Sequence, residues 1–218
     1  ELDCAENAEA LLAIRIEALT ADNIESGYAL RGSLHKLQRL DAIAALDETR
    51  CAKVLASLTE TIQVPTLRLN AMPLAPPYEQ NDWNDAISAM QPEVRQEWNA
   101  PNQYIPEDYE QRDLRFSNYS LSMVKRMLDA GVPVGAGTDT PIALAIPGYS
   151  LHRELEMLVR AGMTPLQALE AATIRPTEFL GIEDEMGTIE VGKRADLVLL
   201  SANPLEDIRH TRQIDTVI

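Results

Sequence analysis

The sequence predicts an α/β fold, because helical patterns alternate with short β-rich segments along its 218 residues. In the helical stretches, apolar residues recur about every 3.6 positions. Two β-rich segments, residues 64–69 and 132–137, stand between such stretches. This order is typical of parallel βαβ units, of which about three can be counted. A closed (β/α)₈ barrel needs eight units and ~250 residues.

The first part of the chain predicts two helices with a short strand between them. Residues 4–20 and 40–60 place apolar side chains at helical spacing. The segment around Ile24 predicts a brief buried strand, followed by an exit loop at Gly27.

Residues 70–118 form a long excursion that is rich in proline and aromatic residues, among them Trp83 and Trp98. So many prolines prevent a long helix or a central strand. Long connections of this kind are often functional. Two interpretations follow: a surface loop pinned by its aromatic side chains, or a lid that covers a substrate.

The rest of the chain carries clear signals for where helices end. Gly131 predicts a left-handed cap after a helix over residues 119–131. Ser150 predicts the N-cap of the next helix, which ends at Gly162, and Thr164 with Gln167 predicts a capping box. Strands are predicted in the tail at residues 188–191, 195–200 and 213–218.

Composition excludes several classes of partner. The chain has 19 Lys and Arg against 34 Asp and Glu, a net charge of −15. Such a charge argues against binding nucleic acid or an anionic membrane surface. No apolar run approaches the ~18 residues of a membrane span, and no signal-peptide pattern is visible. We therefore expect a cytoplasmic protein.

The two cysteines, Cys4 and Cys51, bear on the redox environment. They are too few for a disulfide scaffold, and their spacing fits no zinc motif. One disulfide remains an alternative, while two buried thiols are the favoured interpretation.

The stretch "GVPVGAGTDTP", residues 131–141, places Asp139 where a strand runs out into glycines. In α/β folds, active sites collect at the carboxyl ends of strands. A carboxylate there can ligate a divalent metal or act as a general base toward water. Alternatively, Asp139 caps the next segment or forms an Asx-turn before Pro141.

Three further stretches carry a family resemblance: "GYSLHRELEMLVRAGMTPLQALEAAT", "RPTEFLGIEDEMGTIEVGKRADLVLLSANPLEDIR" and "IDTVI". Together with "MLDAGVPVGAGTDTP", they make residues 118–218 similar to the C-terminal part of the amidohydrolase superfamily. The similarity is greatest to its imidazolonepropionase-like and prolidase-like hydrolases. The portion "GTIEVGKRADLVLL" is specific, whereas the upstream region resembles the family more loosely.

The resemblance implies a partial (β/α)₈ TIM-type barrel, with its last strands and helices, in residues 1–182. Residues 183–218 would supply strands of a small β-sandwich. The implied activity is hydrolysis of an amide, peptide or cyclic amide C–N bond by water activated on a divalent metal, commonly zinc. Asp139 matches the acid that contacts the metal and handles the proton of the water. His152 matches a position on the following helix and is expected at the edge of a substrate pocket, or else is a surface histidine.

The chain departs from the family pattern in its histidines. The His-x-His pair of the first barrel strand is absent, and Ser26 stands where the family has another histidine. Serine is a poorer zinc ligand than imidazole. His35 is either a displaced ligand or a solvated residue, and His210 is expected on the surface.

We therefore expect the C-terminal half of a larger enzyme, one that self-associates or lacks an N-terminal segment. The substrate would be a small amide, such as a dipeptide, a cyclic amide or an acyl amino acid. The alternative is a non-catalytic remnant or scaffold without a complete metal site.

Overall fold

Helices dominate the computed structural model, which describes residues 2–20, 27–98, 113–142 and 144–218. Short 3₁₀ turns at Met72–Leu74, Pro77–Glu79 and Ile208–Arg212 join some of the helices. The α-helices are α1 (Ala8–Thr20), α2 (Gly27–Ala44), α3 (Glu48–Ala56), α4 (Leu67–Asn70), α5 (Trp83–Ser88), α6 (Pro92–Trp98), α7 (Arg115–Asp129), α8 (Tyr149–Arg160), α9 (Pro165–Ala172) and α10 (Ile174–Leu180). None of the described helices is both long and apolar enough to cross a membrane.

The chain divides into two units, Glu1–Glu60 and Thr61–Ile218. The first unit contains α1 to α3, and the second contains the remaining elements. The boundary between residues 182 and 183, predicted from the family resemblance, stays a prediction.

Helix α1 confirms the helix predicted at the start of the chain, although its apolar residues do not form a single buried face. Leu11 is buried, whereas Leu12, Ile14 and Ile16 are about half exposed. The buried amide of Gln38 on α2 donates to the carbonyl oxygen of Leu11 at 2.8 Å. A buried side-chain hydrogen bond of this kind fixes the two helices against each other.

The single helix predicted over residues 40–60 is wrong, because the chain breaks at Asp47 into α2 and α3. The Asp47 carboxylate accepts a hydrogen bond from the backbone N–H of Arg50 at 2.7 Å and so caps α3. Aspartate competes with the backbone in this way and favours helix starts over helix interiors. The strand predicted around Ile24, together with Ser26, lies outside the described residues.

Cys4 and Cys51 form a disulfide, which corrects the prediction of two free thiols. The backbone N–H of Asp47 donates to the carbonyl oxygen of Cys4 at 2.9 Å, and this contact brings the start of α3 beside the N-terminal segment. The two Cα atoms lie 4.2 Å apart. Both residues are buried, as the sequence predicted.

The core of the second unit lies between α4, α7, α8 and α9. Leu67, Val124 and Leu158 are among its least exposed residues. Gly131 adopts a φ of +74° after α7, and Val132 N–H bonds back to the carbonyl oxygen of Met127, which confirms the predicted left-handed cap.

The predicted starts of α8 and α9 have different outcomes. Helix α8 begins at Tyr149 with Gly148 as its N-cap, so the N-cap predicted at Ser150 is wrong. The Ser150 hydroxyl instead accepts from the N–H of Ile146 at 2.8 Å. The capping box of Thr164 and Gln167 is confirmed.

The described β-structure is smaller than the sequence predicts. Gln63, the residue before the first predicted strand segment, forms an isolated parallel bridge with Val134 of the second. The first segment does not extend as a strand, because Thr66 turns left-handed with φ +47° and α4 follows.

In the tail, β1 (Val198–Leu200) pairs antiparallel with β2 (Ile214–Val217). Both strands are shorter than the strands predicted at residues 195–200 and 213–218. The strand predicted at residues 188–191 is wrong, since Ile189 and Val191 are exposed and pair with no strand in the described chain. The fold is thus α/β, mostly helical, with a small two-stranded sheet.

Candidate functional site

Asp139 lies in the loop that follows the bridged segment, as the sequence predicted. The backbone of the loop passes very close to the partner segment: a Cβ added at Gly137 would lie 2.4 Å from Cγ1 of Val64. A side chain at residue 137 would therefore force Val64 or the loop to move. Asp139 is exposed and adopts a φ of +52°, which is uncommon for a non-glycine residue.

A buried arginine holds this loop from behind. The Arg68 guanidinium donates to the carbonyl oxygens of Thr138, at 2.5 Å, and Ile142, at 2.6 Å. A longer contact of 3.4 Å joins it to the carbonyl oxygen of Asp139. Burial lowers the pKa of Arg68, while the carboxylates of Glu154 and Asp139 favour its charged form.

Glu154 is fully buried on α8 and contacts the backbone of Arg68. Its two carboxylate oxygens accept from the backbone N–H groups of Leu67, at 3.0 Å, and Arg68, at 2.6 Å. Burial raises the pKa of Glu154 to about 7, against the opposing effect of these hydrogen bonds and of the Arg68 charge. Carboxylates are rarely buried without a partner, and here the two peptide N–H groups and the Arg68 charge meet that requirement.

The sequence analysis did not single out Glu154 or Arg68. A signal for Glu154 was available, since Ser150, Glu154 and Leu158 share the buried face of α8 at a spacing of four residues. A carboxylate on the apolar stripe of an amphipathic helix predicts a buried partner. The partner itself is 86 residues away in the sequence and could not be predicted.

His152 is half-buried on α8, and its Nδ1 lies 3.0 Å from the hydroxyl oxygen of Thr211 in the tail. Its described hydrogen-bond partner is therefore not in the loop that carries Asp139. Burial lowers the pKa of His152, and the nearby Arg212 lowers it further. The role of His152 at the edge of a substrate pocket stays a prediction.

Part of the proline-rich excursion is pinned onto the chain that follows Asp139. Trp83 and Ile87 of α5 are buried against Leu144 and Ile146. The rings of Trp83 and Tyr149 meet edge to face, with centroids 6.0 Å apart. This packing favours the interpretation as a pinned loop for the segment around Trp83.

A polar network holds the same segment to the tail. The Tyr149 hydroxyl donates to one carboxylate oxygen of Asp82 at 2.7 Å, and the Arg212 guanidinium donates to the other at 2.8 Å. Arg212 also donates to Glu156 at 2.9 Å and stacks 4.8 Å from the centre of the Tyr149 ring. Burial and the hydrogen bond to Asp82 raise the pKa of Tyr149 to about 12. Residues 99–112 of the excursion lie outside the described chain.

The described side chains do not fit a metal ion by themselves. Within the described ranges, no three His, Cys, Asp or Glu side chains come together as a metal-binding group. Of the histidines, His35 lies on α2 in the first unit, and the Nδ1 of His210 lies 2.8 Å from the carbonyl oxygen of Asn203. Of the metal ligands that the family resemblance implies, Asp139 is the one that the described chain places in this loop.

The loop that carries Asp139 lies in a part of the chain that is similar to known proteins. The model of the amidohydrolase family matches residues 100–218. Imidazolonepropionase from Thermoplasma acidophilum is 37% identical over 102 residues, which cover 46% of this chain and 24% of that protein. Ochratoxinase from Aspergillus niger is 40% identical over 91 residues, which cover 41% of this chain and 18% of that protein.

Among solved structures, a Xaa-Pro dipeptidase superposes with a TM-score of 0.53 at 22% sequence identity. The match covers 87% of this chain and 46% of the dipeptidase chain. This likeness concerns the fold. In each of these comparisons, the chain spans less than half the length of the protein it matches.

Proposed function

Because the chain belongs to the amidohydrolase family, we propose that it is part of a hydrolase that cleaves a carbon–nitrogen bond. Amidohydrolases are, by their name, enzymes that hydrolyse amide bonds. The substrates we propose are small amides: a dipeptide, a cyclic amide or an acyl amino acid. We also propose that residues 1–182 contribute the last strands and helices of a TIM-type barrel, an arrangement that the parallel bridge between Gln63 and Val134 supports.

The observation that carries the proposal is the placement of Asp139. Its carboxylate is exposed, at the tip of a loop whose backbone is held from behind by a buried arginine. Residues held in sparsely populated backbone conformations cluster at functional sites, because the surrounding structure must maintain them. His152, on the following helix, stays a proposed pocket-edge residue.

The chemistry assigned to Asp139 is general acid–base catalysis. As a carboxylate it accepts a proton from the water that attacks the amide carbon, and it then returns that proton to the leaving nitrogen. A divalent ion such as zinc, as the family resemblance implies, would need ligands besides Asp139 from outside the described residues.

The second candidate is a non-catalytic scaffold, and one observation favours it. Where the structure describes the chain, no metal-binding group of three side chains is found. A scaffold would bind no zinc and hydrolyse none of the proposed amides, so the two candidates are distinguished by measurement.

The test is metal content together with hydrolysis, using Asp139→Asn and a matched control. Elemental mass spectrometry measures zinc in each protein, and a panel of Xaa-Pro dipeptides, N-acyl amino acids and cyclic amides is assayed with and without added zinc. We expect Asp139→Asn to lose about 10²-fold or more of the hydrolysis rate. Asp129→Asn, an exposed aspartate paired with Lys125 on α7, should retain it. Hydrolysis that survives in Asp139→Asn would contradict the assigned role, and no hydrolysis and no zinc in any variant would favour the scaffold.

A proposal on assembly follows from the exposed apolar surface. Val198 and Leu199 of β1 and Val217 of β2 are more than half exposed. Apolar strands left in water tend to associate with other strands. We propose that the chain self-associates or packs against a further segment of a longer protein. A cooperative 24.1 kDa monomer in size-exclusion chromatography and unfolding experiments would contradict self-association.

A further inference from the structure

We propose that Arg68 and Glu154 are positioning residues for Asp139. The buried carboxylate of Glu154 fixes the orientation of Arg68, and Arg68 fixes the backbone of the loop that carries Asp139. This proposal rests on the proposed function, because the value of a fixed Asp139 is its role in acid–base chemistry. Neither residue belongs to the ligand set that the family resemblance implies.

The first link joins Glu154 to the start of α4. Both of its oxygens are used, one by the N–H of Leu67 and one by the N–H of Arg68. Glu154 is 0% exposed, so water does not compete for these bonds. Two hydrogen bonds to adjacent peptide groups fix the direction in which the Arg68 side chain leaves the backbone.

The second link joins Arg68 to the loop. The Arg68 guanidinium donates to carbonyl oxygens on both sides of Asp139, at Thr138 and Ile142. A planar guanidinium holds its donors in a fixed geometry, so the two carbonyl oxygens are fixed relative to each other. The loop between them then has little freedom, and the Asp139 side chain is presented outward.

The third link is electrostatic. Arg68 is 6% exposed and lies between the carboxylates of Glu154 and Asp139, both of which favour its charged form. A buried cation without such partners is costly. The Glu154 carboxylate therefore offsets part of the cost of burying the Arg68 charge, which is a reason for the helix to carry a carboxylate on its apolar face.

Amide hydrogen exchange measured by NMR tests the positioning directly. The N–H groups of Ile142 and Ala145 donate to the carbonyl oxygens of Asp139 and Ile142, which Arg68 also contacts. In Arg68→Ala we expect exchange of these two amides to accelerate at least ~10-fold, because hydrogen bonds from a buried charged group are lost. The reference amide of Met163, bonded to the carbonyl oxygen of Leu158, should keep its rate.

The matched control is Arg153→Ala. Arg153 is also a largely buried arginine that donates to a backbone carbonyl oxygen, that of Ala75, but it has no described bond to the loop. We expect wild-type exchange at Ile142 and Ala145 in this control. Millimolar guanidinium should restore slow exchange in Arg68→Ala, whereas sodium at equal ionic strength should not. Should Arg68→Ala fail to fold, Arg68→Lys should show an intermediate acceleration, since lysine keeps the charge without the fork.

The role of Glu154 is tested by asking whether its replacement changes the exchange of loop amides that it does not contact. Glu154→Gln keeps one accepting oxygen and places an NH₂ group toward the other peptide N–H, so it should also accelerate exchange at Ile142 and Ala145, with which it has no described bond. Wild-type exchange at these amides in Glu154→Gln would overturn its part, and wild-type exchange in Arg68→Ala would overturn the whole proposal. Equal acceleration at Met163 would also overturn it, because Arg68 would then support the fold in general.

These outcomes are independent of the proposed function. If no amide is hydrolysed and Asp139→Asn has no effect, the proposed function fails while the exchange results still decide whether Arg68 and Glu154 hold the loop. If the amides are hydrolysed and exchange is unaffected, only the positioning proposal fails.

Discussion

Arg212 and Asp82, which are 130 positions apart in the sequence, form an ion pair with an N–O distance of 2.8 Å. The pair connects the proline-rich excursion to the 3₁₀ turn of the tail. Arg212 also pairs with Glu156 of α8, and the Arg212 side chain is only 17% exposed. Three distant parts of the second unit therefore meet at one guanidinium.

Replacing Arg212 should destabilise the second unit. Arg212→Met leaves the largely buried carboxylate of Glu156 without this partner and removes the contact with Tyr149, so we expect a loss of about 2–3 kcal/mol in the free energy of unfolding. Urea titration measures it. Arg209→Met, which removes an exposed arginine paired with Asp207, should leave the stability almost unchanged, because exposed ion pairs contribute little. Equal losses in the two variants would contradict a special role for Arg212.

Glu154 should make the protein less stable as pH rises. Burial raises its pKa to about 7 from 4.5, so the folded state binds the proton more tightly than the unfolded state does. The stabilisation is fully present below pH 4.5 and is lost as pH rises through about 7. From the size of this shift, the expected loss is about 3 kcal/mol. His152 acts in the opposite direction, since its lowered pKa favours the folded state at higher pH.

The contribution of Glu154 is isolated by comparing the wild type with Glu154→Gln in urea at pH 5 and pH 8. Glutamine does not titrate, so the difference in stability between the two proteins should change with pH in favour of the variant as pH rises. A difference that stays constant between pH 5 and pH 8 would show that Glu154 does not titrate in this range.

The disulfide should stabilise the first unit substantially. It closes a loop of 47 residues, for which chain entropy predicts about 4 kcal/mol at room temperature. We expect no thiol to react with an alkylating reagent in the denatured, unreduced protein, and two to react after reduction. Two reactive thiols before reduction would contradict the bond. Disulfides persist mainly in oxidising compartments, so the bond argues against the cytoplasmic location expected from the sequence. That location stays a prediction.

Gly137 should tolerate no side chain. A Cβ would lie 2.4 Å from Cγ1 of Val64, so Gly137→Ala must displace either the loop or its partner segment. Because Val64 is half exposed and can shift, we expect a cost of about 1 kcal/mol, at the low end for overpacking, and an altered position of the Asp139 loop. Gly32→Ala, on α2, provides the control: nothing lies within 4 Å of the added atom, and alanine favours the helix. Thermal unfolding of both variants, with their opposite expected shifts, checks this.

Local signals in the sequence predicted local structure well. The capping box at Thr164 and the left-handed glycine at Gly131 each depend on residues within one turn of a helix, so a short stretch is enough to predict them. The position of Asp139 after a glycine-rich segment was predicted for the same reason. The family resemblance identified residues 118–218 because their pattern is specific as a whole.

Contacts between distant residues could not be predicted. The bonds of Glu154 to α4 and the ion pair of Arg212 with Asp82 each join separate parts of the chain. The pairing of Cys4 with Cys51 also joins distant residues, but with two cysteines in the chain the sequence left it open as an alternative. The break at Asp47 was missed because an apolar stripe continues across it, although aspartate is a common N-cap. The strand at residues 188–191 was predicted from its apolar residues, but these face water with no partner strand in the described chain.

The left-handed backbone around Arg68 has a consequence for engineering. Among the described residues, Thr66, Asp139 and Leu144 are the non-glycine residues with positive φ, and each lies in or beside the two segments that Arg68 joins. Each costs about 1–2 kcal/mol relative to glycine. At Leu144, the loss of burial against Trp83 and Ile87 would outweigh the relief of the backbone. At Thr66, which is only partly buried, a screen for thermostable variants would therefore favour glycine or asparagine. Such gains would relax the backbone that carries Asp139, so the most accessible stabilising substitutions are those that trade activity for stability.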